Sequence, residues 1–273
     1  MKATKSIYKV LVALLVSAQL FAATGCNEKS GSAKPASEKE FKKISLTPNG
    51  EGLYVEYEGK KENLVIPSTI QDKPVLFVRI IDFSEKIKSV VIPEGVKGID
   101  VSASGLKNIQ LPSTLIYLRL SSGALEQLEI PKGVVQISYI YAKSLKSITI
   151  PEGVKYLGPV GTVEDCLLES VTLPKSIKFI NELAFVKHDN LKEINIPEEG
   201  LSVFVYGTDA EYMTPQDCFT GKAIDNSVAL QEKLRKIKNA RDKESFRSAR
   251  EKDYVKWFND NLYPIKGGLT EVD

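Results

Sequence analysis

The sequence predicts a repeat solenoid, mainly β, built of short parallel strands and closed at its C-terminal end by an α-helical cap. Three observations carry that expectation. A four-residue signature ending in proline recurs as LVIP at Pro67, VVIP at Pro93, IQLP at Pro112, LEIP at Pro131, ITIP at Pro151, VTLP at Pro174 and INIP at Pro197. Leucines keep step with it, since Leu106, Leu125, Leu145, Leu168 and Leu191 each stand three residues ahead of the next apolar segment. Beyond Thr208 the pattern stops, and Leu230, Leu234 and Ile237 fall at helical spacing.

The first 25 residues read as an address. Lys2, Lys5 and Lys9 precede a mostly apolar run from Val10 to Ala23. That run is shorter than the roughly 20 residues a helix needs to cross a membrane, and it fits a signal-peptide core. Ala23-Thr24-Gly25-Cys26 follows, and this stretch resembles a bacterial lipoprotein signal. The resemblance implies cleavage before Cys26 and attachment of lipid to its sulfur. Ala23 departs from the leucine usual at that place, and ordinary secretory cleavage near Ala22-Ala23 and an uncleaved anchor are the alternatives. Residues 26–48 are expected to be a flexible tether, because Asn27 to Lys43 (NEKSGSAKPASEKEFKK) carries almost nothing apolar to offset its ordering entropy.

Residues 49–207 are expected to form the solenoid. In Val90-Val91-Ile92, Leu128-Glu129-Ile130 and Val171-Thr172-Leu173 the outer two side chains of an alternating triplet share one face. Proline then stops the strand, because it lacks the ladder N–H and presets a turn. Behind each turn comes an apolar pair: Val96/Ile99, Leu115/Leu118, Val134/Ile137, Val154/Leu157 and Ile177/Ile180. One coil alone cannot bury these residues, whereas stacked coils can.

These residues resemble the BspA-like leucine-rich repeat family of bacterial surface proteins. The nearest correspondence runs from Ile180 through Ala184-Phe185 to Leu191, and the opening from Tyr54 to Gly59, Ile66-Pro67 and Lys73-Pro74-Val75 is similar to that family's first coil. The resemblance implies a leucine-rich repeat solenoid that binds proteins, with host matrix proteins or other cells as partners. Three middle units of 19 or 20 residues lack the Ala-Phe turn. In the matching unit His188 occupies a position where the family places Cys or Asn, which implies a structural role.

Residues 208–225 read as an irregular connector, and 226–273 as a helical segment with Phe246, Tyr254, Trp257 and Phe258 continuing the apolar pattern. That segment is expected to cap the open end of the solenoid. Partner binding or membrane contact by its basic face are the alternatives.

Composition narrows the function classes. The chain has 273 residues, 42% of them hydrophobic, which is enough for a sizeable core. Its 37 basic and 35 acidic residues give no reason to expect nucleic acid. A single histidine removes every two-His metal site. No nucleophile, phosphate-loop or zinc motif occurs, so the expectation is no enzyme, no cofactor, no metal and no small-molecule substrate. Cys166 and Cys218 are expected to be separate thiols, with a disulfide the alternative.

What remains is surface. The register places Gly98, Tyr117, Gln136, Tyr156 and Phe179 in one solvent-facing column, with Lys97, Ile116, Val135, Lys155 and Lys178 beside it. Tyr139 and Tyr141 follow in the third short unit. Exposed aromatics at strand spacing suit protein recognition, so Tyr117, Tyr139, Tyr141, Tyr156 and Phe179 are the expected partner-binding residues. The alternative is that some of these rings pair along the ladder or lie beneath the C-terminal helix. The whole then reads as a lipid-anchored envelope protein of a bacterial membrane, either an outer-membrane or cell-surface adhesion module or a periplasm-facing scaffold.

Overall fold

The computed structural model describes residues 34–47, 50–158, 167–181, 183–197, 201–204 and 218–236. Within them the chain winds as a mainly β solenoid of about six turns. Its strands, numbered in chain order, form one long sheet and two short ladders. The long sheet takes β1 (Phe41–Leu46), β2 (Leu53–Tyr57), β5 (Lys73–Asp82), β7 (Gly98–Ala103), β9 (Tyr117–Ser122), β10 (Gln136–Ala142), β12 (Tyr156–Leu157), β14 (Phe179–Asn181) and β16 (Ser202–Phe204), in that spatial order, with β4 (Thr69–Ile70) added to β5 as a hairpin. From β2 onward every neighbour on that path is parallel.

The proline-terminated segments lie in the other ladders. One joins β3 (Asn63–Val65), β6 (Ser89–Val91) and β8 (Asn108–Gln110); the other joins β11 (Ser147–Thr149), β13 (Ser170–Thr172) and β15 (Glu193–Asn195). Leu128–Ile130 belongs to neither, so the ladder expected to run unbroken through seven rungs is interrupted at the fourth. The long sheet carries the stack across that gap through paired β9 and β10. Turn stacking also ties coils together. Glu94 accepts hydrogen bonds from the Ser113 N–H and hydroxyl at 2.9 Å each, and Glu152 accepts from the Lys175 and Ser176 N–H groups at 3.0 and 3.2 Å.

Inside lies the expected apolar spine. Leu106, Leu125, Leu145, Leu168 and Leu191 are all buried, as is every member of the five apolar pairs that follow the prolines. Each fully buried Leu or Ile contributes about 1.5–3 kcal/mol. At the far end of the long strands a polar column answers the turns' backbone needs. Asp82 accepts from the Ser84 N–H, the Ser84 hydroxyl and the Ile87 N–H. The Ser122 hydroxyl accepts from the Ala124 N–H and donates to the Leu106 carbonyl, and Asn181 accepts from the Leu183 N–H. Buried backbone groups at a corner cannot reach the ladder, and these side chains satisfy them.

Both ends differ from expectation. The tether expected over 26–48 gives way to structure by Ala36, which is buried and donates its N–H to Val65 at 2.8 Å. A capping box joins Ser37 and Glu40, and β1 then pairs antiparallel with β2 while Phe41 meets the Tyr57 ring edge-on. Alternating Phe41, Ile44 and polar residues suffice for one edge strand, and a bulge with Lys42 and Lys43 blunts that edge against further pairing.

At the other end, of the connector expected to be irregular over 208–225, the described residues 218–225 supply structure. Cys218 and Phe219 are buried, Phe219 forms a parallel bridge with Phe185 and their rings stack at 4.7 Å, so the Ala-Phe turn has a successor one coil on. Two short helices follow, α1 (Lys222–Asp225) and α2 (Val228–Arg235). Ser227 caps α2, Leu234 is buried, and Lys233 reaches the Ile194 carbonyl at the end of the short ladder. The helical residues expected from Ile237 onward lie outside the described residues, as do Cys26 and the whole leader.

Candidate functional site

The outer face of the long sheet collects the side chains with chemistry left to offer. Its strands alternate, so Leu118 and Leu120 of β9 point to the core while Tyr117, Arg119 and Ser121 point away. Pairing across strands sorts the outward residues into three columns. The first runs Tyr54, Phe77, Gly98, Tyr117, Gln136, Tyr156, Phe179. The second runs Glu56, Arg79, Asp100, Arg119, Tyr139, and the third Ile81, Ser102, Ser121, Tyr141.

The first column keeps its expected register but not its expected exposure. Tyr117 is only 4% exposed and Tyr156 9%, and Gly98 and Gln136 are buried with them. Rings next to small neighbours lie down along the ladder. Tyr54 stacks on Phe77 at 5.5 Å, and Phe77 reaches across Gly98 to Tyr117 at 6.1 Å. Tyr117 and Tyr156 are therefore structural in this protein, and the expectation that they face solvent is corrected. The Phe179 backbone takes its predicted place beside Tyr156, and its side chain lies outside the described residues.

The second column is a charge ladder that the sequence reading missed. Arg79 stands 3.7 Å from Glu56 and 3.5 Å from Asp100, and Arg119 stands 3.5 Å from Asp100. The guanidinium of Arg119 then lies over the Tyr139 ring at 5.4 Å. The arginine side chains are 41% and 43% exposed, whereas that of Asp100 is 13% exposed. Burial pushes the Asp100 carboxyl above the usual carboxylate range, against the pull of Arg119 and Arg79, and Glu56 adds to the rise. Burial likewise raises the Tyr54 phenol. The signal was available: Arg79, Asp100 and Arg119 each lie two residues after a member of the first column, so they share its face.

Tyr139 and Tyr141 remain half-exposed on this face, and a β-bulge precedes them in β10. Gln136 and Ile137 pair with Tyr117 and Leu118, Ser138 is skipped, and Tyr139 pairs with Arg119. Without that extra residue the preceding and following halves of β10 would still alternate in phase, so Ser138 bends the strand without changing which side chains face out. Its carbonyl occupies the space a Cβ would need at residue 158, which is glycine. The bulge also accounts for the 20-residue interval between Pro131 and Pro151 after two of 19.

Other candidates take structural places. His188 is buried, donates its N–H to the Thr220 carbonyl at 2.9 Å and tilts its ring against Phe185. Cys218 is buried, and Cys166 lies outside the described residues. Among the described residues no group of three His, Cys, Asp or Glu side chains converges to hold a metal ion, and no helix is long and apolar enough to cross a membrane.

Comparison with known proteins bears on the fold. Residues 120–208, about a third of the chain, match the family described as "BspA type Leucine rich repeat region (6 copies)". No curated protein matches the chain. Among solved structures, the T. pallidum leucine-rich repeat protein is 27% identical with a TM-score of 0.54, over 62% of this chain and 86% of that one. A leucine-rich cell surface protein from Faecalibacterium prausnitzii and a leucine-rich repeat protein from Bacteroides ovatus are each 20% identical with TM-scores of 0.39. They cover 61% and 62% of this chain, which spans 52% and 55% of theirs. The described solenoid is consistent with a leucine-rich repeat fold, and its middle and C-terminal coils carry that family's sequence pattern.

Proposed function

We propose that this chain is a non-catalytic, membrane-anchored lipoprotein whose solenoid binds a protein partner through the outer face of the long sheet. The observation that carries the reading is the second column. Exposed guanidinium groups and half-exposed tyrosines stand at fixed strand spacing on a ladder whose opposite face is the packed core. Arg and Tyr are the residue types that dominate protein-binding energies, and a rigid ladder lowers the entropy lost on docking. Similarity to leucine-rich repeat proteins supports an interaction module in the same way.

Anchoring rests on Cys26, the cysteine after Ala23-Thr24-Gly25, with the envelope of a bacterial cell, at the outer membrane or cell surface, as the location. Labelled palmitate incorporated into the wild type and lost in Cys26→Ala supports the anchor; no label on the wild type rejects it. Protease shaving of intact cells separates a surface adhesion module, which is cleaved, from a periplasm-facing scaffold, which is protected. For the binding face, full-length wild type and Arg119→Ala/Tyr139→Ala are compared as baits under identical conditions. A partner held by the wild type should be released by the double variant while that variant stays folded, with its thermal midpoint lowered by no more than about 5 °C. Equal retention by both removes this face from the account.

A further inference from the structure

We infer that the outer face of the long sheet takes an acidic segment of a protein partner, a conclusion that rests on the protein-binding reading above and specifies its chemistry. Between β5 and β14 this face and its entry corner carry five cations against one carboxylate, Asp100, and Glu56 of neighbouring β2 stands 3.7 Å from Arg79 as a second. Arg79 and Arg119 flank Asp100 on the sheet. Lys97, Lys155 and Lys178 stand at the corner where successive coils enter the sheet, linked through a backbone ladder that includes Ile116 and Val135. All three lysines are exposed, and none has a carboxylate partner within ion-pair distance among the described residues. Five cations against these two carboxylates leave a local excess of three positive charges, carried mainly by the unpaired lysines, in a chain whose net charge is only +2.

The pattern also selects the kind of anion. Asp100 sits midway between the two arginines, and Ile116, Val135, Tyr139 and Tyr141 separate the cations with apolar or aromatic surface. A continuous polyanion would place charge against Asp100 and over these side chains. Discrete carboxylates alternating with apolar residues avoid both. Strands about 4.8 Å apart put Arg79 and Arg119 roughly 10 Å from each other, a distance that carboxylates a few residues apart on a partner can match. Lys97 and Lys155, three strands apart, extend the same track.

The test uses the full chain and three labelled probes: a twelve-residue peptide alternating Glu and Phe, its counterpart with Lys for Glu, and a heparin oligosaccharide. Fluorescence anisotropy is expected to show binding of the acidic peptide, weakening with added salt and falling about tenfold or more in Arg79→Gln/Arg119→Gln. A second variant, Lys97→Gln/Lys155→Gln/Lys178→Gln, changes only exposed side chains and is expected to weaken binding while leaving the thermal midpoint alone. Equal binding of both peptides, or undiminished acidic-peptide binding by both variants, overturns the inference. Heparin bound more tightly than the acidic peptide, with the same variants abolishing it, overturns it in favour of a sulfated glycan. If a partner is still lost from Arg119→Ala/Tyr139→Ala while the acidic peptide fails to bind, the acidic class falls and the protein-binding reading stands. If that bait comparison also fails, both fall.

Discussion

The ring of Phe77 meets that of Tyr117 at 6.1 Å although the two residues stand two strands apart, because the residue between them on the ladder, Gly98, has no side chain. That arrangement turns an outer column of aromatics into buried structure. A Cβ at residue 98 would overlap the Phe77 ring. Alanine at a strand glycine ordinarily stabilises through the unfolded state, but here displacement of the ring outweighs that gain. Gly98→Ala is expected to lose about 1–3 kcal/mol in urea unfolding. An unchanged or raised stability would show that the ring has room to move.

Tyrosines on the same face are expected to separate into two classes. Tyr117→Ala removes a buried ring and should cost about 3–5 kcal/mol. Tyr139→Ala removes a half-exposed one and should cost below about 1 kcal/mol. Thermal or urea unfolding of the two single variants decides this, and equal losses would contradict the assignment of Tyr139 to the accessible surface.

The bulge at Ser138 and the glycine at residue 158 are expected to be coupled. Gly158→Ala in the parent meets the Ser138 carbonyl and should cost about 1–3 kcal/mol. With Ser138 deleted the strand becomes regular, Tyr139 keeps its face, and the same substitution should become close to neutral. A double-mutant cycle showing strict additivity would refute the coupling.

At the β4–β5 hairpin, Gln71 and Asp72 both hold left-handed backbone, with φ of 52° and 59°. Side chains resist that conformation, and glycine at the second position of such a turn is favoured. Asp72→Gly is expected to raise stability by about 0.5–1 kcal/mol, measured by urea unfolding, and a loss would point to a contact made by the carboxylate.

Two carboxylates give opposite pH dependences. Burial opposes ionisation of Asp82, but hydrogen bonds from Ile87 and Ser84 outweigh it and hold its carboxyl below the usual range. Its stabilisation is thus present above the unfolded carboxylate's titration and drains away as pH falls through the depressed folded value. Asp100 is raised, so the folded state takes its proton more readily and stability declines as pH rises from the unfolded value through the folded one. Urea unfolding from acid to neutral pH should therefore show Asp82→Asn losing part of the acid-side slope. Asp100→Asn should gain stability at neutral pH, and a loss there would mean its ion pairs outweigh its burial.

The repeat was legible because proline and leucine recur in step with each other, and each position so marked is buried or turns the chain. Register was legible too, since Tyr117, Gln136 and Tyr156 stand side by side as their spacing implies. Exposure was not. Whether an outward ring is wet depends on the size of its lateral neighbours, and Gly98 lets Phe77 and Tyr117 close over it. The charge ladder escaped because Arg79, Asp100 and Arg119 look like scattered surface charge until pairing sets them in line. Leu128–Ile130 shows the converse, with a good strand signature that forms no ladder.

Hydroxyl-radical footprinting of the full chain, free and with the partner captured by the wild-type bait, tests the binding face most directly. Protection of Tyr139 and Tyr141 is expected, with the side chains of the short ladders, among them Asn108 and Thr149, reacting as before. Protection confined to the short ladders, with Tyr139 and Tyr141 equally reactive in both states, would contradict it.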